Sequence, residues 1–328
     1  MNPPTLTSCR ITKGLVHRSS TPSNPTSPSQ ETANLLKSTS MDLGNRPRTM
    51  RSRGPNHIWA VIWNENMERL GISLYGVFDL WSRSILAMYA HEMPCDPIHV
   101  GIEFLQLAAT SGGIPLMVIT NDGIGTLDLA RYQTQLAQSY GPAASMEASV
   151  HVHFIQSDTT LWITRSWSRI NNQYIRPVME TIYQQIEAGK YNPEDSIQRL
   201  LFLFLWVPLI QTSLDHWATD INAPTTRVNQ GREITVSNRH HAYLNPETFG
   251  AENEIIEVPE EDIEEILANN YSPRDFCHTT TPQWFHIRAM EILHMLDIQL
   301  DQLTLGGVWT VFDQMLPQVQ ASFPTIIH

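Results

Sequence analysis

The chain has 328 residues, of which 41% are hydrophobic and 16% charged, a composition typical of a globular protein with a substantial core. Its formal net charge of −12 makes most of the protein a poor electrostatic match for a nucleic-acid backbone. The cysteines, Cys9, Cys95 and Cys277, lie far apart and form no CxxC pair. This spacing argues against a disulfide framework or a cysteine-rich zinc site, and it indicates a reducing intracellular location, nuclear or cytoplasmic.

Residues 1–53 differ in composition from the rest of the chain. They contain nine Ser, eight Thr and six Pro, with eight Lys or Arg against two Asp or Glu. This basic arm has no apolar periodicity, and such a segment cannot bury enough surface to offset the entropy of ordering it. We therefore predict that the basic arm is disordered. It also lacks the apolar region of a secretory signal.

Segments with strand and helix patterns alternate after the basic arm. Runs rich in Ile, Val, Trp, Tyr and Phe predict strands, and apolar spacing of three and four residues predicts helices. The predicted strands are 57–63, 71–80, 84–90, 114–120 and 148–155, and the predicted helices are 98–112, 126–141, 161–189 and 194–220. This order predicts an α/β fold with a mixed sheet.

The most apolar run is "LLFLFLWVPLI", residues 200–210, within the last of these helices. A membrane-spanning helix needs about 20 apolar residues, and this run has eleven. The run therefore predicts a core helix, and we expect no association with a membrane.

The remaining residues, 221–328, are less regular and predict a C-terminal extension of a core formed by residues 54–220. Residues 251–267 hold eight Asp or Glu and no Lys or Arg, which predicts a solvated acidic face or loop. A final helix is predicted near 282–303, where it completes the core or forms a small subdomain.

Four segments, in chain order, resemble one known family. They are "RGPNHIWAVIWNENMERLGISLYGVFDLWSRSILAMY", "GGIPLMVITNDGIGTLDLARYQ", "SDTTLWITRSWSRINNQYIRPVMETIYQQIE" and "LLFLFLWVPLIQTSLDHW". Together they are similar to the integrase core domain of transposon-derived proteins, and the likeness covers about residues 53–250. The hairpin pattern of that family is matched at Gly71, Ile72, Tyr75, Gly76, Asp79, Ser82, Arg83 and Ile85.

The resemblance implies a ribonuclease-H-like fold, with a mixed five-stranded sheet flanked by helices and here additional C-terminal helices. In active members, three carboxylates hold two divalent ions for phosphoryl displacement on DNA. The corresponding positions in this chain are Ile62, Asn121 and Thr164, which we expect to converge at one edge of the sheet. Because none of them is a carboxylate, the resemblance implies a catalytically silent, transposon-derived core that holds no metal and needs no small-molecule cofactor.

Nearby acids offer an alternative. Glu65, Asp122 and Asp158 lie close in sequence to the three altered positions and, if displaced into the site, would form a divergent Mg²⁺-dependent nuclease or strand transferase. Glu65 is three residues beyond Ile62, and an odd offset along a strand places side chains on opposite faces. Three simultaneous relocations are therefore the less favoured interpretation.

Candidate binding residues lie on the helix predicted at 161–189. Arg165, Arg169 and Arg176 form a basic set where an integrase meets its DNA, which indicates weak DNA binding. An ordinary solvent-exposed helix face explains the same three arginines nearly as well. Trp162 and Trp167 are predicted to pack against the sheet. A third hypothesis is a protein-interaction module without a nucleic-acid role, in which residues 251–267 and the basic arm recruit protein partners. His151 and His153 alternate on a predicted strand and are expected on its wet face.

Overall fold

The computed structural model describes residues 51–121, 124–142, 151–154, 161–223, 234–235, 238–272 and 280–323. The prediction for the basic arm therefore lies, apart from residues 51–53, outside the described residues. The described strands are β1 (Ile58–Asn64), β2 (Ile72–Asp79), β3 (Ile85–Glu92), β4 (Gly113–Ile114), β5 (Met117–Thr120), β6 (Val152–Phe154) and β7 (Ile256–Glu257).

Five of these strands form the central sheet, in the order β3-β2-β1-β5-β6. The β1–β2 and β2–β3 pairs are antiparallel, whereas β5 is parallel to both β1 and β6. The mixed five-stranded sheet predicted from the sequence is therefore confirmed. In its register Ile62 lies opposite Gly76, and Val61 lies opposite Thr120.

The run predicted as one strand at 114–120 is divided between two sheets. β4 pairs with β7 in a separate two-stranded sheet, and only β5 joins the central sheet. Pro115 lies between the two strands and has no N–H to donate to a ladder. Its carbonyl oxygen accepts a hydrogen bond of 2.7 Å from the buried Gln133 side chain instead.

The helices cover both faces of the central sheet. The described α-helices are α1 (Pro97–Ser111), α2 (Leu127–Tyr140), α3 (Leu161–Ile170), α4 (Arg176–Glu187), α5 (Ser196–Asn222), α6 (Arg239–Leu244), α7 (Glu260–Asn270), α8 (Gln283–Met295) and α9 (Val308–Ser322). A five-residue π-helix, Asn171–Ile175, joins α3 to α4, and a 3₁₀ helix, Glu65–Leu70, joins β1 to β2.

Local sequence signals explain where two of the longer helices begin. The Asp96 carboxylate caps α1 by accepting from the Ile98 N–H at 3.0 Å, and Pro97 follows at the first helical position. Gly112 ends α1 in the left-handed region, at φ 77°. Asp195 caps α5 in the same way, accepting from the N–H groups of Ile197 and Gln198.

Side-chain alternation along β1 separates two hydrophobic layers. Ile58, Ala60 and Ile62 face the layer that holds the buried side chains of α3, α4 and α5, which we call the α3 side. Trp59 and Val61 face the layer that holds α1 and α2, which we call the α1 side. The period of two places successive side chains on opposite faces, so each side has its own core.

The prediction of a core helix around residues 200–210 is confirmed by α5. Of the described helices, α5 is long and apolar enough to cross a membrane by length and composition, yet 61% of its most apolar 18-residue window is buried inside the protein. Its side chains from Leu201 to Val207 are buried on the α3 side, against β3 and α9.

The C-terminal residues are built into the same layers. α8 and α9 contribute Phe285, Ile292, Phe312 and Met315 to the α3-side core, and α7 packs on α1 through the buried Ile263. The acidic segment 251–267 is thus partly β7 and partly α7, with most of its carboxylates exposed.

The final helix predicted at 282–303 ends earlier than expected. α8 stops at Met295, and Asp297 adopts the left-handed conformation at φ 57°, which an α-helix does not continue. α9 then follows as a separate helix that the sequence patterns did not predict, and it packs against α8 and α5.

Candidate functional site

Ile62, the first of the three positions aligned with the family's carboxylates, lies near the carboxyl end of β1 on the α3 side. It is partly buried and packs against the α3-side core. Its partner across the ladder is Gly76, where an added Cβ would lie 2.8 Å from the Phe78 ring and 3.5 Å from the Trp167 ring. The indole of Trp167 thus lies over the sheet beside Ile62, in an apolar environment.

Asn121 immediately follows β5, which is parallel to β1. Its side-chain oxygen accepts from the Trp63 N–H at 2.9 Å, and its side-chain nitrogen donates to the Trp63 carbonyl at 3.5 Å. The amide thereby continues the β1–β5 pairing beyond Val61 and Thr120, as a backbone residue would. The structure brings Asn121 next to Ile62 along β1, with both polar groups of its side chain bound to the main chain.

Thr164 is exposed on α3. The neighbouring buried side chains of this helix, Ile163 and Trp167, belong to the same core layer as Ile62. Thr164 itself borders a surface groove that it shares with Asn66 from the 3₁₀ helix after β1. The helix that carries the third position thus covers the face of the sheet that carries the first.

None of these residues offers an anionic metal ligand. Ile62 has no donor atom, Asn121 uses its carbonyl oxygen within the chain, and Thr164 has a neutral hydroxyl. Mg²⁺ prefers carboxylate and other hard oxygen ligands, so these three positions do not fit a pair of divalent ions. Among the described residues, no group of three His, Cys, Asp or Glu side chains is arranged to hold a metal ion.

Of the displaced acids, only Glu65 lies within the described residues. β1 ends at Asn64, and Glu65 begins the 3₁₀ helix with its side chain exposed to solvent. The Asn64 side chain caps this helix by accepting from the Asn66 N–H at 3.0 Å. Asp122 and Asp158 lie outside the described residues.

Asp79 supports the β2–β3 hairpin. Its carboxylate accepts from the Ser82 N–H at 2.7 Å, the Ser82 hydroxyl at 2.6 Å and the Asn56 N–H at 2.8 Å. Burial raises the pKa of Asp79 to about 6, although these hydrogen bonds oppose the shift. Arg83, two residues before β3 begins, is in the left-handed region at φ 66°. The carboxylate therefore holds a tight turn in place.

The structure divides the predicted basic set. Arg165 and Arg169 are exposed on α3, where the Arg169 Nε donates to Gln173 at 3.1 Å, whereas Arg176 borders the groove next to Thr164. Arg239 lies beside the hairpin turn, where it donates to the Arg83 carbonyl at 3.4 Å. Its pKa is lowered mainly by burial and further by the positive charges of Arg169 and Arg83. These arginines form a basic cluster that the sequence did not predict.

The groove beside Thr164 has a volume of about 540 Å³, and we call it the α3–α4 groove. One side of the continuous helix from α3 through α4 forms most of its lining. The lining residues are Asn66, Thr164, Trp167, Ser168, Asn171, Asn172, Ile175, Arg176, Met179, Glu180 and Tyr183. The sequence signal was available, since Thr164, Ser168 and Asn172 recur at intervals of four residues.

Two further predictions concern aromatic and imidazole side chains. Trp167 packs edge-on against Phe78 with the ring centroids 6.1 Å apart, which confirms its predicted position against the sheet. The side chain of Trp162 lies outside the described part of the chain. The expectation that His151 lies on a wet face is wrong, because His151 is fully buried at the start of β6. It lies next to β5, and its carbonyl accepts from the Val118 N–H at 2.8 Å.

A buried polar cluster on the α1 side was missed by sequence reasoning. The Tyr75 hydroxyl donates to Oε2 of Glu103 on α1, and the His91 Nε2 lies 3.0 Å from the same oxygen. Burial lowers the pKa of His91, but the charge and hydrogen bond of Glu103 and the charge of Glu92 outweigh it, so this pKa is raised. Burial raises the pKa of Tyr75 well above its usual value. We call these residues the Tyr75–Glu103–His91 cluster.

The sheet order, with three antiparallel strands followed by two parallel ones and helices on both faces, defines a ribonuclease-H-like fold. A family model described as integrase core domain matches residues 50–238, which is more than half of the chain. The chain therefore belongs to the integrase core domain family. A comparison with curated proteins finds no match.

Proposed function

We propose that this integrase core is a catalytically silent scaffold, derived from a transposable element, that binds nucleic acid without cutting or joining it. The proposal rests on the hydrogen bonds of the Asn121 side-chain amide. Both of its polar groups are bound to the main chain of Trp63, at the position where an active member places its second carboxylate. The position serves the sheet rather than a metal ion.

Electrostatics supports the loss of catalysis. Two divalent cations about 4 Å apart repel each other strongly, and anionic ligands must offset that repulsion. The side chains of Ile62, Asn121 and Thr164 carry no charge. Glu65, the described member of the displaced acids, points into solvent from the 3₁₀ helix. The alternative of a divergent enzyme would therefore depend on Asp122 and Asp158.

Local positive charge supports nucleic-acid binding by a protein whose net charge is negative. Arg165 and Arg169 are exposed on the helix that covers the former catalytic face, and Arg83 and Arg239 lie near Arg169. Guanidinium groups bind phosphate oxygens in a bidentate geometry. The basic arm adds further cations, and phosphate contacts of this kind supply the sequence-independent part of the affinity.

Nuclease assays with Mg²⁺ and with Mn²⁺ test the catalytic part of the proposal. The full chain is expected to leave duplex and branched DNA uncut and unjoined, while it retards the same DNA at low salt. Mn²⁺ is included because it would reveal a residual site with a poorer ligand set. Metal-dependent cleavage that Glu65→Gln or Asp122→Asn abolishes would overturn the silent-scaffold proposal.

A restoring variant tests whether the three positions are the former metal site. Ile62→Asp, Asn121→Asp and Thr164→Glu together are expected to create a Mn²⁺ site that calorimetry detects. The matched control carries Ile62→Asn and Thr164→Gln, which have similar shapes and no charge, and should bind no Mn²⁺. Equal metal binding by the two variants would contradict the alignment of these positions with the family's carboxylates.

A second candidate function is recognition of a basic protein partner by the acidic segment 251–267. Its observation is the ion pair of 2.9 Å between Arg53 and Glu254, which shows this segment engaging a guanidinium. Glu260, Glu261, Glu264 and Glu265 are exposed on α7. Substitution of all four residues by Gln should then abolish binding of a basic protein partner. If it does, and if the unmodified chain binds no DNA, protein recognition replaces nucleic-acid binding as the proposed function.

A further inference from the structure

The α3–α4 groove has firmly held walls. Asn64 accepts from the Asn66 N–H, and its side-chain nitrogen donates to the Asn171 side-chain oxygen at 3.3 Å. These two bonds fasten the 3₁₀ helix after β1 to the π-helix between α3 and α4. A π-helix inside an otherwise regular helix is frequently found at a functional site. The groove therefore lies between elements that are linked to each other directly.

The lining is rich in amide side chains. Asn66, Asn171 and Asn172 present groups that both donate and accept hydrogen bonds, as the edges of nucleobases do. Tyr183 is 36% exposed, and its aromatic ring at one end of the groove can stack on a base. Trp167 is 6% exposed, and its Nε1 has no hydrogen-bond partner among the described residues.

The charges in the groove nearly cancel. Arg176 and Glu180 are the charged residues of the lining, one of each sign. A ligand bound here is therefore held by stacking and hydrogen bonds more than by ion pairing. Binding that depends little on ion pairing is compatible with the net negative charge of the protein.

The shape of the groove favours an extended ligand. Its lining runs from Thr164 to Tyr183, and at a rise of about 1.5 Å per residue this corresponds to roughly 28 Å of helix. A single strand exposes its base faces and edges along such a length, whereas a duplex keeps them paired and stacked inside. For comparison, a single OB fold takes about 4–16 nucleotides of single strand.

We infer that the α3–α4 groove binds a short single-stranded nucleic acid through its bases, with Tyr183 as a stacking platform and the asparagines as hydrogen-bonding partners. This inference rests on the proposed nucleic-acid binding and specifies its ligand and its surface. It also gives the binding a distinct signature. Each phosphate contact in a single-strand complex contributes about −0.7 to the slope of log affinity against log salt, so binding in the groove has a slope no steeper than about −1.

The test measures the affinity of the full chain for a ten-nucleotide oligodeoxyadenylate by fluorescence anisotropy, from low salt to about 1 M, where the Debye length is about 3 Å. At the high end, phosphate contacts by the basic arm are screened and the groove contribution remains. Tyr183→Leu is expected to weaken this salt-resistant binding about tenfold, and Tyr183→Phe should retain it. Asn172→Ala is expected to weaken it severalfold, while the control Asn269→Ala on α7 should not change it.

The possible failures are distinguishable. If the oligonucleotide binds with a steep salt dependence and Tyr183→Leu has the affinity of the unmodified chain, the groove inference is wrong and the proposed function stands through the arm and the α3 arginines. If neither this oligonucleotide nor a duplex binds at any salt concentration, the proposed function fails and the inference fails with it. Tighter binding of the corresponding duplex at high salt would also overturn the inference.

Discussion

The two sides of the central sheet differ in the polar groups that they carry. On the α3 side, the positions that the resemblance aligns with catalytic carboxylates carry Ile62, Asn121 and Thr164, and Trp167 covers the sheet beside Ile62. On the α1 side, the carboxylate of Glu103 remains buried between Tyr75 and His91. Among the described residues, the α3 side has no cluster of side chains that could hold a metal ion. The α1 side, in contrast, buries an ionisable carboxyl group.

The difference shows what a buried carboxylate requires. Transfer of a charge from water is costly unless hydrogen bonds and an opposite charge compensate for it. The Tyr75 hydroxyl and the His91 imidazole supply that compensation for Glu103 within the chain. A catalytic carboxylate is compensated by bound metal ions instead, so without a metal such a position is more stable with a neutral residue.

The largest effect is expected from Glu103→Ala. It leaves His91 and the Tyr75 hydroxyl buried without their shared acceptor, and removal of one partner of a buried pair costs about 3–5 kcal/mol. The free energy of unfolding, measured by urea denaturation, should fall by this amount. The control Glu264→Ala removes an exposed carboxylate on α7 and should change the value by less than about 0.5 kcal/mol. Equal losses would show that the α1 side does not depend on its carboxylate.

A smaller loss is expected on the α3 side from Gly76→Ala. The added Cβ would lie 2.8 and 2.9 Å from two Phe78 ring carbons, and overpacking of a core costs about 1–3 kcal/mol. The same denaturation measurement checks it. Gly306→Ala is the matched control, because among the described residues no heavy atom beyond its chain neighbours lies within 4 Å of the added Cβ. If Gly76→Ala leaves the free energy of unfolding unchanged, the Phe78 and Trp167 rings can move to accommodate the added methyl group.

Deprotonation of His91 at rising pH should lower the free energy of unfolding while the Glu103 carboxylate stays in place. Because the pKa of His91 is raised above 6.5 in the folded protein, the folded state binds the proton more tightly than the unfolded chain. Its contribution to stability is full below pH 6.5 and is lost as the pH rises through the folded pKa. His91→Gln should remove this component from stability curves measured between pH 5 and 9, and NMR titration should show the raised pKa. A His91 that titrates below 6.5 would contradict the ion pair.

The smallest effect is expected from Asn121→Ala, which removes two hydrogen bonds at the solvent-exposed carboxyl end of β5. Net contributions of such bonds are about 0.5–1.5 kcal/mol, and the loss should fall at the lower end. Hydrogen exchange of the Trp63 amide should accelerate at the same time, because that amide donates to Asn121. An unchanged Trp63 exchange rate would show that the side chain does not extend the ladder.

The sequence by itself determined the class of fold. Runs of β-branched and aromatic residues placed β1, β2 and β3, and helical spacing with Gly112 at its end placed α1. Four motifs in the right order were enough to indicate the family from the residues alone. These features are local, since period, caps and turn residues act over a few positions.

Tertiary structure alone decided how residues far apart in sequence meet. The bond between Asn121 and Trp63 joins two parallel strands, and the link between Asn64 and Asn171 spans more than a hundred residues. The buried position of Glu103 depended on residues of β2 and β3 that its own helix pattern does not reveal. Burial, partners and pKa are set by packing between elements, and no periodicity within one element encodes them.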